Sequence, residues 1–425
     1  MKYEWYLFDL DGTLTESGDG IINSAKDALT RMGAEIPSDE AMRAFVGPPL
    51  LWSFQNVARL SEADAQKAIE LYRERYFTVG WMENRVYPGI APLLRGIRRR
   101  GGKIALASAK PELFCRKILD YFGLTPYFDR ISAIAFSDHS AEKKDIILRA
   151  LPLESERANA VMVGDRVYDV EGARQAGVAS VGVEYGYGSA EEFAKADAVA
   201  KTADDLWDIL IGGKRDPGFF ITFEGVDGCG KSTQFHKAAD CLSRRGWDVV
   251  TSREPGGCPI SERIRELLLD LSSVGMTAEC EAILYAAARA QHVHDVILPA
   301  IKAGKLVLCD RFLDSSIAYQ AYGRELTEPF IRQINEPAVG NLAPDLTLLY
   351  AADTATARAR VAQSGAPDRL ESEGDDFVSR VSAGYALLAA REPERVRVIS
   401  AVRSIDEVFA DTWRELLNLL VLNSI

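Results

Sequence analysis

Length, composition and charge already narrow the kinds of protein that this chain can be. With 425 residues, and roughly 150 residues per domain as a guide, it predicts two or three domains. Apolar residues make up 47% and charged residues 26%, which is the balance of a globular protein and excludes a largely disordered one. The 50 basic and 62 acidic residues give a net charge of −12, without a Lys/Arg-rich run, so we expect no nucleic-acid partner.

Hydropathy and cysteine spacing exclude two further classes. No apolar run reaches the roughly 18 residues that a membrane helix needs, so we expect no membrane partner. The six cysteines stand singly, without a CxxC pair, which is typical neither of a disulfide framework nor of a zinc site. We therefore expect a cytoplasmic protein.

An aromatic-rich strand that runs into a glycine turn occurs twice, at 3–10 and at 219–224. Between them, the Gly- and Pro-containing segment 212–218 breaks the periodicity. We therefore predict two domains, 1–211 and 219–425, joined by that short linker.

Short β-rich runs alternate with helical patterns in both halves. The further predicted strands are 103–108, 131–136, 159–163, 180–184, 248–251, 305–309, 346–350 and 396–399. Several are nearly continuous apolar runs, as strands buried on both faces should be. The alternation predicts two α/β domains, each with a doubly wound parallel sheet. Residues from about 16 to 88 look helical throughout, so we predict a helical cap inserted after the first strand.

The segment Phe8-Asp9-Leu10-Asp11-Gly12-Thr13 carries the strongest chemical signal of the first half. Residues two apart on a strand point the same way, so Asp9 and Asp11 can reach one site. One carboxylate can attack a phosphoryl group while the other gives and takes a proton. Asp165 and Asp169 follow another apolar strand, and oxygen ligands gathered at strand ends suit Mg²⁺. Any single aspartate here could instead be a turn former or a helix cap.

Four motifs occur in order in the first half: Asp9-Leu10-Asp11-Gly12-Thr13, Ser108 at a strand end, Lys143-Lys144, and Gly164-Asp165 with Asp169. Together they closely resemble the haloacid dehalogenase-like phosphatases, over the whole first half. The resemblance implies that Asp9 is the nucleophile and Asp11 the general acid/base. Ser108 and Lys143 would hold the transferring phosphoryl group, with Lys144 as the alternative lysine.

The same resemblance implies a Mg²⁺ site. Asp165 would be the main ligand beside Asp9 and the carbonyl oxygen of Asp11, with Asp169 in support. The segment after Asp169 is similar to the phosphoglycolate phosphatase and 5′-nucleotidase-like branch, whose cap matches the helical insertion. The substrate would be a small phosphomonoester, either phosphoglycolate or an unwanted nucleotide, unless the domain is a regulatory module. Ala109-Lys110 departs from the Asn or Thr that many relatives carry after the serine.

The second half contains a phosphate-binding loop. Residues 225–232 fit GxxxxGK[ST] and follow a strand, which is the context that the motif requires. Glycines let backbone N–H groups wrap the phosphates, Lys231 reaches the outer phosphates, and the Ser232 hydroxyl can ligate Mg²⁺. The predicted ATP-binding residues are Gly225, Val226, Asp227, Gly228, Cys229, Gly230, Lys231, Ser232 and Thr233.

Further motifs surround this loop. In order they are Phe223-Glu224-Gly225, Arg253-Glu254-Pro255-Gly256-Gly257, Tyr285 to His292, Asp310 to Gln320, and Asp368-Arg369-Leu370-Glu371. Their order and spacing strongly resemble thymidylate kinase, a P-loop nucleoside monophosphate kinase, over about residues 218–425. The resemblance implies transfer of the γ-phosphoryl group of ATP to dTMP, and a homodimer. Two alternatives stay open, namely another nucleoside monophosphate as the acceptor and an inactive kinase that serves as an assembly partner.

The resemblance also implies residue roles. Arg253 and Arg311 would clamp the acceptor phosphate, and Asp227 occupies the position of the catalytic carboxylate. Tyr285 would stack on thymine, and Arg289, one helical turn later on the same face, would hydrogen-bond the base. The other predicted residues of the nucleoside pocket are Ser316, Tyr319 and Gln320.

The mobile lid of the family corresponds to about residues 358–371. Forms with glycine at the position of Gly228 tend to supply a catalytic arginine from the lid. This lid offers Arg358, Arg360 and Arg369, but its middle lacks the arginine expected there. Either Arg360 or Arg369 takes over that role, or the kinase is slow. The alternative for all three arginines is a solvated helix face.

Overall fold

The chain folds into two units, each built around one parallel sheet. Met1–Lys214 forms most of the first unit, and Arg215–Ser243 with Asp248–Asn423 forms most of the second. The computed structural model describes residues 2–135, 142–273, 275–361, 369–370 and 373–422. Within these ranges, no helix has both the length and the apolar character needed to cross a bilayer.

The first unit has β1 at the centre of its main sheet. The described strands are β1 (Trp5–Phe8), β2 (Thr15–Glu16), β3 (Arg85–Val86), β4 (Lys103–Pro111), β5 (Arg130–Ile134), β6 (Ala160–Gly164), β7 (Ala179–Val183) and β8 (Ala198–Ala200). Six of them form a sheet in the order β5-β4-β1-β6-β7-β8, in which every pairing is parallel. All residues of β1 and β6 are buried, because helices cover both faces of the sheet.

The helices of the first unit fall into a cap group and a sheet-covering group. They are α1 (Gly18–Met32), α2 (Asp39–Met42), α3 (Leu50–Asn56), α4 (Glu62–Thr78), α5 (Ile90–Arg99), α6 (Glu112–Phe122), α7 (Lys143–Ala150), α8 (Glu154–Arg157), α9 (Val167–Ala176) and α10 (Ala203–Leu210). The short antiparallel pair of β2 and β3 brackets α1 to α4. The inserted cap is therefore helical and begins just after the first strand, as predicted.

Local sequence explains where the cap helices begin and end. The Ser61 hydroxyl accepts a hydrogen bond from the Asp64 N–H and so caps the start of α4. Gly33 ends α1 in a left-handed conformation with φ 65°, which favours glycine. The two long helices α1 and α4 pack against each other. Below the cap, Trp5, Leu7 and Met162 belong to one buried cluster of the sheet domain.

The second unit has β9 at the centre of a five-stranded parallel sheet. Its described strands are β9 (Phe220–Glu224), β10 (Val249–Arg253), β11 (Leu306–Asp310), β12 (Leu346–Ala351) and β13 (Val396–Ser400). The order is β10-β11-β9-β12-β13. The described helices are α11 (Lys231–Arg244), α12 (Pro259–Leu269), α13 (Ala278–His292), α14 (Leu298–Lys302), α15 (Leu313–Ser316), α16 (Glu328–Val339), α17 (Thr354–Val361), α18 (Asp375–Arg391) and α19 (Ile405–Leu417).

These two sheets confirm the predicted fold class of two doubly wound α/β domains, the first with a helical cap. Each predicted strand coincides with an observed one to within a few residues. The predicted strand 131–136 corresponds to Arg130–Ile134, and its last position lies outside the described residues. β8 was not predicted, because a strand of three residues gives too short a signal.

Candidate active sites

The first site lies at the carboxyl ends of three neighbouring strands. Asp9 follows β1, Asp165 follows β6, and Ser108 lies in the C-terminal half of β4. Because β4, β1 and β6 are adjacent and parallel, these residues meet at one edge of the sheet. Ligands of open α/β sheets bind at this edge.

Three carboxylates converge there. Asp9, Asp165 and Asp169 each place one oxygen within 4.8 Å of the others. Burial, followed by repulsion from Asp169 and Asp9, raises the pKa of Asp165 well above its usual range. Burial also raises the pKa of Asp169 to about 6, although Lys143 opposes the shift. A buried group of repelling carboxylates is stabilised by a divalent cation, so the three residues fit Mg²⁺.

A buried lysine lies beside two of these carboxylates. The Lys143 ammonium nitrogen is 3.0 Å from Asp9 Oδ1 and 2.6 Å from Asp169 Oδ1. Lys143 begins α7, which packs against β4 and α9. Of the two lysines that the sequence offers, Lys143 is therefore the one that contacts the predicted nucleophile, and Lys144 follows it as a half-buried residue.

The turn after β1 lies very close to the carboxylate of Asp165. Gly12 has φ 75°, and a Cβ atom at this position would lie 2.0 Å from Asp165 Oδ2, so only glycine fits. The Tyr187 N–H donates to Asp165 Oδ2 at 2.9 Å, and the Thr13 hydroxyl donates to Oδ1 at 3.4 Å. These contacts fix the orientation of the carboxylate. The role of the Tyr187 backbone could not be read from its side-chain type.

Asp11 contacts a residue that the sequence analysis left without a role. The Lys110 ammonium nitrogen lies 2.8 Å from Asp11 Oδ2 and 3.1 Å from Oδ1. The Lys110 N–H also donates to Ser108 Oγ at 3.3 Å. Lys110 stands two residues after Ser108 near the end of a strand, and that spacing could have indicated a shared direction.

The second site begins at the loop between β9 and α11. Gly225, Val226, Asp227, Gly228, Cys229 and Gly230 form the loop, and Lys231, Ser232 and Thr233 begin α11. Gly228 and Gly230 have φ 77° and 89°, which are left-handed conformations that favour glycine. The Lys231 ammonium nitrogen lies 2.6 Å from Asp310 Oδ1, at the end of the adjacent strand β11. Ser232 is exposed, whereas Cys229 is buried, and burial raises the pKa of its thiol.

Asp227 and Arg311 form the centre of this site. The Arg311 guanidinium donates to Asp227 Oδ1 at 2.5 Å, and the Tyr319 hydroxyl donates to Oδ2 at 3.0 Å. Burial alone would raise the pKa of Asp227, but the Arg311 and Lys231 cations outweigh it and lower this pKa. Arg311 itself has φ 74°, which is uncommon for a residue with a side chain and is concentrated at functional sites.

Glu224 lies buried beside this pair. Its carboxylate accepts hydrogen bonds from the Phe312 N–H at 2.8 Å, the Ser315 hydroxyl at 2.5 Å and the Tyr385 hydroxyl at 2.8 Å. Burial, followed by repulsion from Asp314, raises the pKa of Glu224 to about 7. The Ser315 and Tyr385 hydroxyls also contact Arg311. Glu224 therefore anchors the polar groups around the arginine.

A cavity extends from Asp227 and Arg311 toward α13. It is lined by Asp227, Glu254, Pro255, Arg265, Leu269, Tyr285, Arg289, Arg311, Phe312, Ser315, Ser316, Tyr319, Gln320 and Leu370. All five residues predicted for the nucleoside pocket are among these. Tyr319 and Gln320 lie in a π-helical segment, Ile317–Gly323, a rare form that is frequent at functional sites.

Arg289 is held rigidly at the wall of this cavity. Its guanidinium donates to Glu254 Oε2 at 2.7 Å, to the Asn335 side chain, and to Ser316 Oγ at 3.1 Å. The other oxygen of Glu254 contacts His292 at 3.0 Å. His292 is fully buried, and its contact with Glu254 fits a structural role.

The two predicted phosphate clamps have different surroundings. Arg311 lines the cavity, whereas Arg253 is not among its lining residues and pairs with Glu262 at 3.0 Å, with more than half of its side chain exposed. Arg265, on the following helix α12, does line the cavity. Its side chain donates to the Pro255 carbonyl oxygen at 2.8 Å. The sequence analysis missed Arg265, because nothing in a surface-helix pattern distinguishes it from its neighbours.

The three lid arginines also differ in their contacts. Arg360 donates to the loop carbonyl oxygens of Gly228 and Cys229 at 3.5 and 3.4 Å. Arg369 instead pairs with Glu281 at 2.7 Å, on α13. Arg358 lies 2.5 Å from Asp375, at the start of α18. The arginine-poor middle of the predicted lid lies outside the described residues, apart from Val361.

Comparison with known proteins assigns each half to a family. Residues 223–412 match the thymidylate kinase family. A thymidylate kinase of Pelotomaculum thermopropionicum is 50% identical over 198 residues, which is 46% of this chain and 92% of that protein. The C-terminal domain belongs to the thymidylate kinase family. A second thymidylate kinase, of Exiguobacterium sibiricum, is 44% identical over 203 residues, 48% of this chain and 96% of that protein.

The N-terminal half matches the haloacid dehalogenase-like hydrolase family over residues 6–183. A solved structure of a predicted phosphatase from Clostridium acetobutylicum is 36% identical, covers 50% of this chain and 99% of that chain, and has a TM-score of 0.46. The two family matches confirm the resemblance of the first half to the haloacid dehalogenase-like family and of the second half to thymidylate kinase.

Proposed function

We propose that the chain is a bifunctional enzyme. Its kinase domain transfers the γ-phosphoryl group of ATP to dTMP and gives dTDP. Its hydrolase domain cleaves a small phosphomonoester through an aspartyl-phosphate intermediate. The observation that carries the proposal is that each domain gathers its motif residues at the carboxyl end of its own sheet, with Lys231 and Arg311 in one and Asp9 and Lys143 in the other.

In the kinase domain, the acceptor phosphate oxygen attacks the γ-phosphorus of ATP, and the bond between that phosphorus and the oxygen of ADP breaks. Lys231, which is buried, and Arg311 supply positive charge around the moving group. Asp227 holds the Arg311 guanidinium in place. Tyr285 and Arg289 would contact the base, because both line the cavity from α13.

In the hydrolase domain, a carboxylate oxygen of Asp9 attacks phosphorus, and the bond to the leaving oxygen breaks. The carboxyl of Asp11 gives its proton to that oxygen. Water then attacks the aspartyl phosphate and passes a proton to Asp11, which frees phosphate and restores Asp9. Lys143 and Ser108 stabilise the charge on the phosphoryl oxygens.

Mg²⁺ fits the donor sets of both domains. In the hydrolase, Asp9, Asp165, Asp169 and the Asp11 carbonyl oxygen would hold it, and in the kinase the Ser232 hydroxyl would contribute. When bound, Mg²⁺ neutralises charge on the phosphoryl oxygens. The raised pKa values of Asp165 and Asp169 support this, since those carboxylates carry unfavourable repulsion without a cation.

A panel of acceptors tests the kinase assignment. With Mg²⁺ and ATP, we expect kcat/KM for dTMP to exceed that for dUMP, dCMP, dAMP and dGMP by about tenfold or more, because a shaped pocket discriminates on that scale. The Lys231→Ala protein supplies the background rate. A clear preference for another monophosphate would identify that nucleotide, and not dTMP, as the acceptor. No transfer to any of them would favour the alternative of an inactive kinase that serves as an assembly partner.

A phosphate-release screen tests the hydrolase assignment. The Lys231→Ala protein with Mg²⁺ is assayed on phosphoglycolate, on deoxynucleoside and ribonucleoside monophosphates, and on sugar phosphates. We expect a substrate other than dTMP, because hydrolysis of dTMP would oppose the kinase in a futile cycle. Robust dTMP hydrolysis would contradict that expectation. No hydrolysis beyond an Asp9→Asn control would favour a regulatory domain.

We also propose that the protein is a homodimer through α12 and α13. Leu267 follows Ile260 by two helical turns on α12, and both side chains are about half exposed. Ile283 on the neighbouring helix α13 is equally exposed. Exposed apolar side chains on two packed helices suit an interface between copies.

A further inference from the structure

Lys110 is a buried cation that the proposed mechanism does not use. Its side chain is only 8% exposed, although lysine is seldom buried without a partner. It lies at the end of β4, and its N–H donates to Ser108 Oγ. In the sequence it stands two residues after Ser108 and directly after Ala109.

The partner of Lys110 is the proposed general acid/base. Both carboxylate oxygens of Asp11 lie within 3.1 Å of the ammonium nitrogen. Among the described residues, the converging group of carboxylates consists of Asp9, Asp165 and Asp169, without Asp11. Strand alternation alone would direct Asp9 and Asp11 to the same side. The contact with Lys110 therefore holds the Asp11 carboxylate, which would give the proton, apart from the Asp9 carboxylate, which would attack phosphorus.

The cap covers Lys110. The ammonium nitrogen lies 5.1 Å from the centre of the Tyr76 ring, on cap helix α4, in a cation–π contact. Tyr76 stacks on Tyr72 and meets the edge of Phe114, so the ring is itself held in place. Lys110 thus contacts Asp11 in the sheet domain and Tyr76 in the cap.

We propose that Lys110 is a positioning residue that holds the Asp11 carboxyl on the side of the leaving group. The proposal rests on the proposed hydrolase function. In the first step Asp9 attacks phosphorus and the bond to the leaving oxygen breaks. One oxygen of the Asp11 carboxyl gives its proton to that leaving oxygen, while the other keeps the hydrogen bond from Lys110, whose cation stabilises the carboxylate that forms. Without Lys110, the Asp11 carboxyl is free to turn toward other partners, and the leaving group departs unprotonated.

Two esters of similar shape separate this role from a structural one. p-Nitrophenolate departs readily without a proton, whereas phenolate depends more on protonation. In single turnovers with excess enzyme, Mg²⁺ and no ATP, alcohol release reports the first step alone. We expect Lys110→Met to slow phenol release from phenyl phosphate at least about tenfold more than p-nitrophenolate release, since general acid catalysis is worth roughly 10²-fold or more.

Three comparisons strengthen the test. Lys110→Arg should recover much of the loss, because it keeps a cation beside Asp11. Lys117→Met is the matched control, since Lys117 also lies over an aromatic ring, that of Trp81, but has no contact with Asp11. In an Asp11→Asn background, Lys110→Met should cause no further loss, because the two residues act as one unit.

Equal slowing of both esters, or a full additional loss in the Asp11→Asn background, would overturn the positioning role. If the wild-type protein releases neither alcohol faster than the Asp9→Asn protein does, the proposed hydrolase function fails, and the role of Lys110 fails with it.

Discussion

The ammonium nitrogen of Lys231 lies 2.6 Å from a carboxylate oxygen of Asp310. The lysine begins the helix after the phosphate-binding loop, and the aspartate ends the adjacent strand, so the pair joins two elements of the kinase site. A triphosphate in the loop must compete with Asp310 for the lysine. We therefore expect this pair to weaken the binding of phosphate to the loop when no metal is present.

Replacing Asp310 should strengthen the binding of ATP without metal. Asp310→Asn removes one negative charge next to the phosphates and frees Lys231, so we expect tighter binding in EDTA by about three- to thirtyfold. Titration calorimetry measures the change. Asp248→Asn is a matched control, because Asp248 pairs with Lys305 on the same sheet, 3.0 Å apart, and should leave the affinity unchanged. Weaker ATP binding by Asp310→Asn would contradict the competition.

Arg360 and Arg369 should behave differently when replaced. Arg360 contacts the carbonyl oxygens of the phosphate-binding loop, so we expect Arg360→Ala to lower kcat about 100-fold with little change in the KM for dTMP. Arg369 pairs with Glu281, which also accepts a hydrogen bond from Gln320 in the nucleoside pocket. We therefore expect Arg369→Ala to raise the KM for dTMP more than it lowers kcat.

Steady-state kinetics with ATP and dTMP distinguish these two outcomes. Arg358→Ala serves as the control, since Arg358 pairs with Asp375 and should change neither constant more than about twofold, as is usual for an exposed ion pair. If Arg369→Ala gave the larger loss of kcat, Arg369 would be the lid arginine of the reaction and the assignment of Arg360 would be wrong.

The stability of the kinase domain should fall as the pH rises toward neutrality. Burial raises the pKa of Glu224 to about 7. Between its unfolded value near 4.5 and this folded value, the folded state keeps a proton that the unfolded state releases. The free energy of unfolding therefore decreases across that range, by up to about 1.4 kcal/mol per pH unit from this group.

Glu224→Gln should flatten this dependence, because the amide has no proton to lose. The melting temperature of the kinase domain is measured from pH 5 to pH 7. The transition of this domain is identified as the one whose melting temperature increases when dTMP is added. A wild-type curve that rises with pH over this range would show that other groups dominate. An unchanged slope in the variant would show that Glu224 is not the source.

The proposed dimer face makes a separate prediction. Ile283→Glu replaces the exposed apolar residue of α13 with a charge, whose burial against a second copy would be costly. We expect sedimentation to give the mass of a dimer for the wild-type protein and of a monomer for the variant. Leu387→Glu, at an exposed apolar residue of α18, is the control and should leave the mass unchanged. A wild-type monomer would refute the proposal.

Sequence reasoning recovered the architecture because both sheets are parallel and buried. Strands such as Ala160–Gly164 and Phe220–Glu224 are buried throughout and stand between helical patterns, so their positions along the chain follow from the sequence. The strands β2 and β3, which flank the cap helices, have two residues each, and no periodicity can be detected over such a length.

Sequence reasoning identified the site residues that belong to recognisable motifs and missed others. Asp9, Asp165 and Lys231 stand in patterns whose spacing determines their place at a strand end. Arg265 stands in no such pattern, and Lys110 has only its spacing from Ser108. The importance of Lys110 comes from its contact with Asp11, far away in the sequence, and that of Arg265 from the cavity that it lines. The role predicted for Arg253 stays a prediction, since its side chain pairs with Glu262 and is more than half exposed.

The most direct test of the account is a crossed inactivation of the two sites. Wild-type, Asp9→Asn and Lys231→Ala proteins are assayed for dTDP formation and for hydrolysis of p-nitrophenyl phosphate in the same preparations. We predict that Asp9→Asn abolishes hydrolysis and leaves dTDP formation unchanged, and that Lys231→Ala does the reverse. Loss of both activities through either single substitution would contradict two independent active sites in one chain.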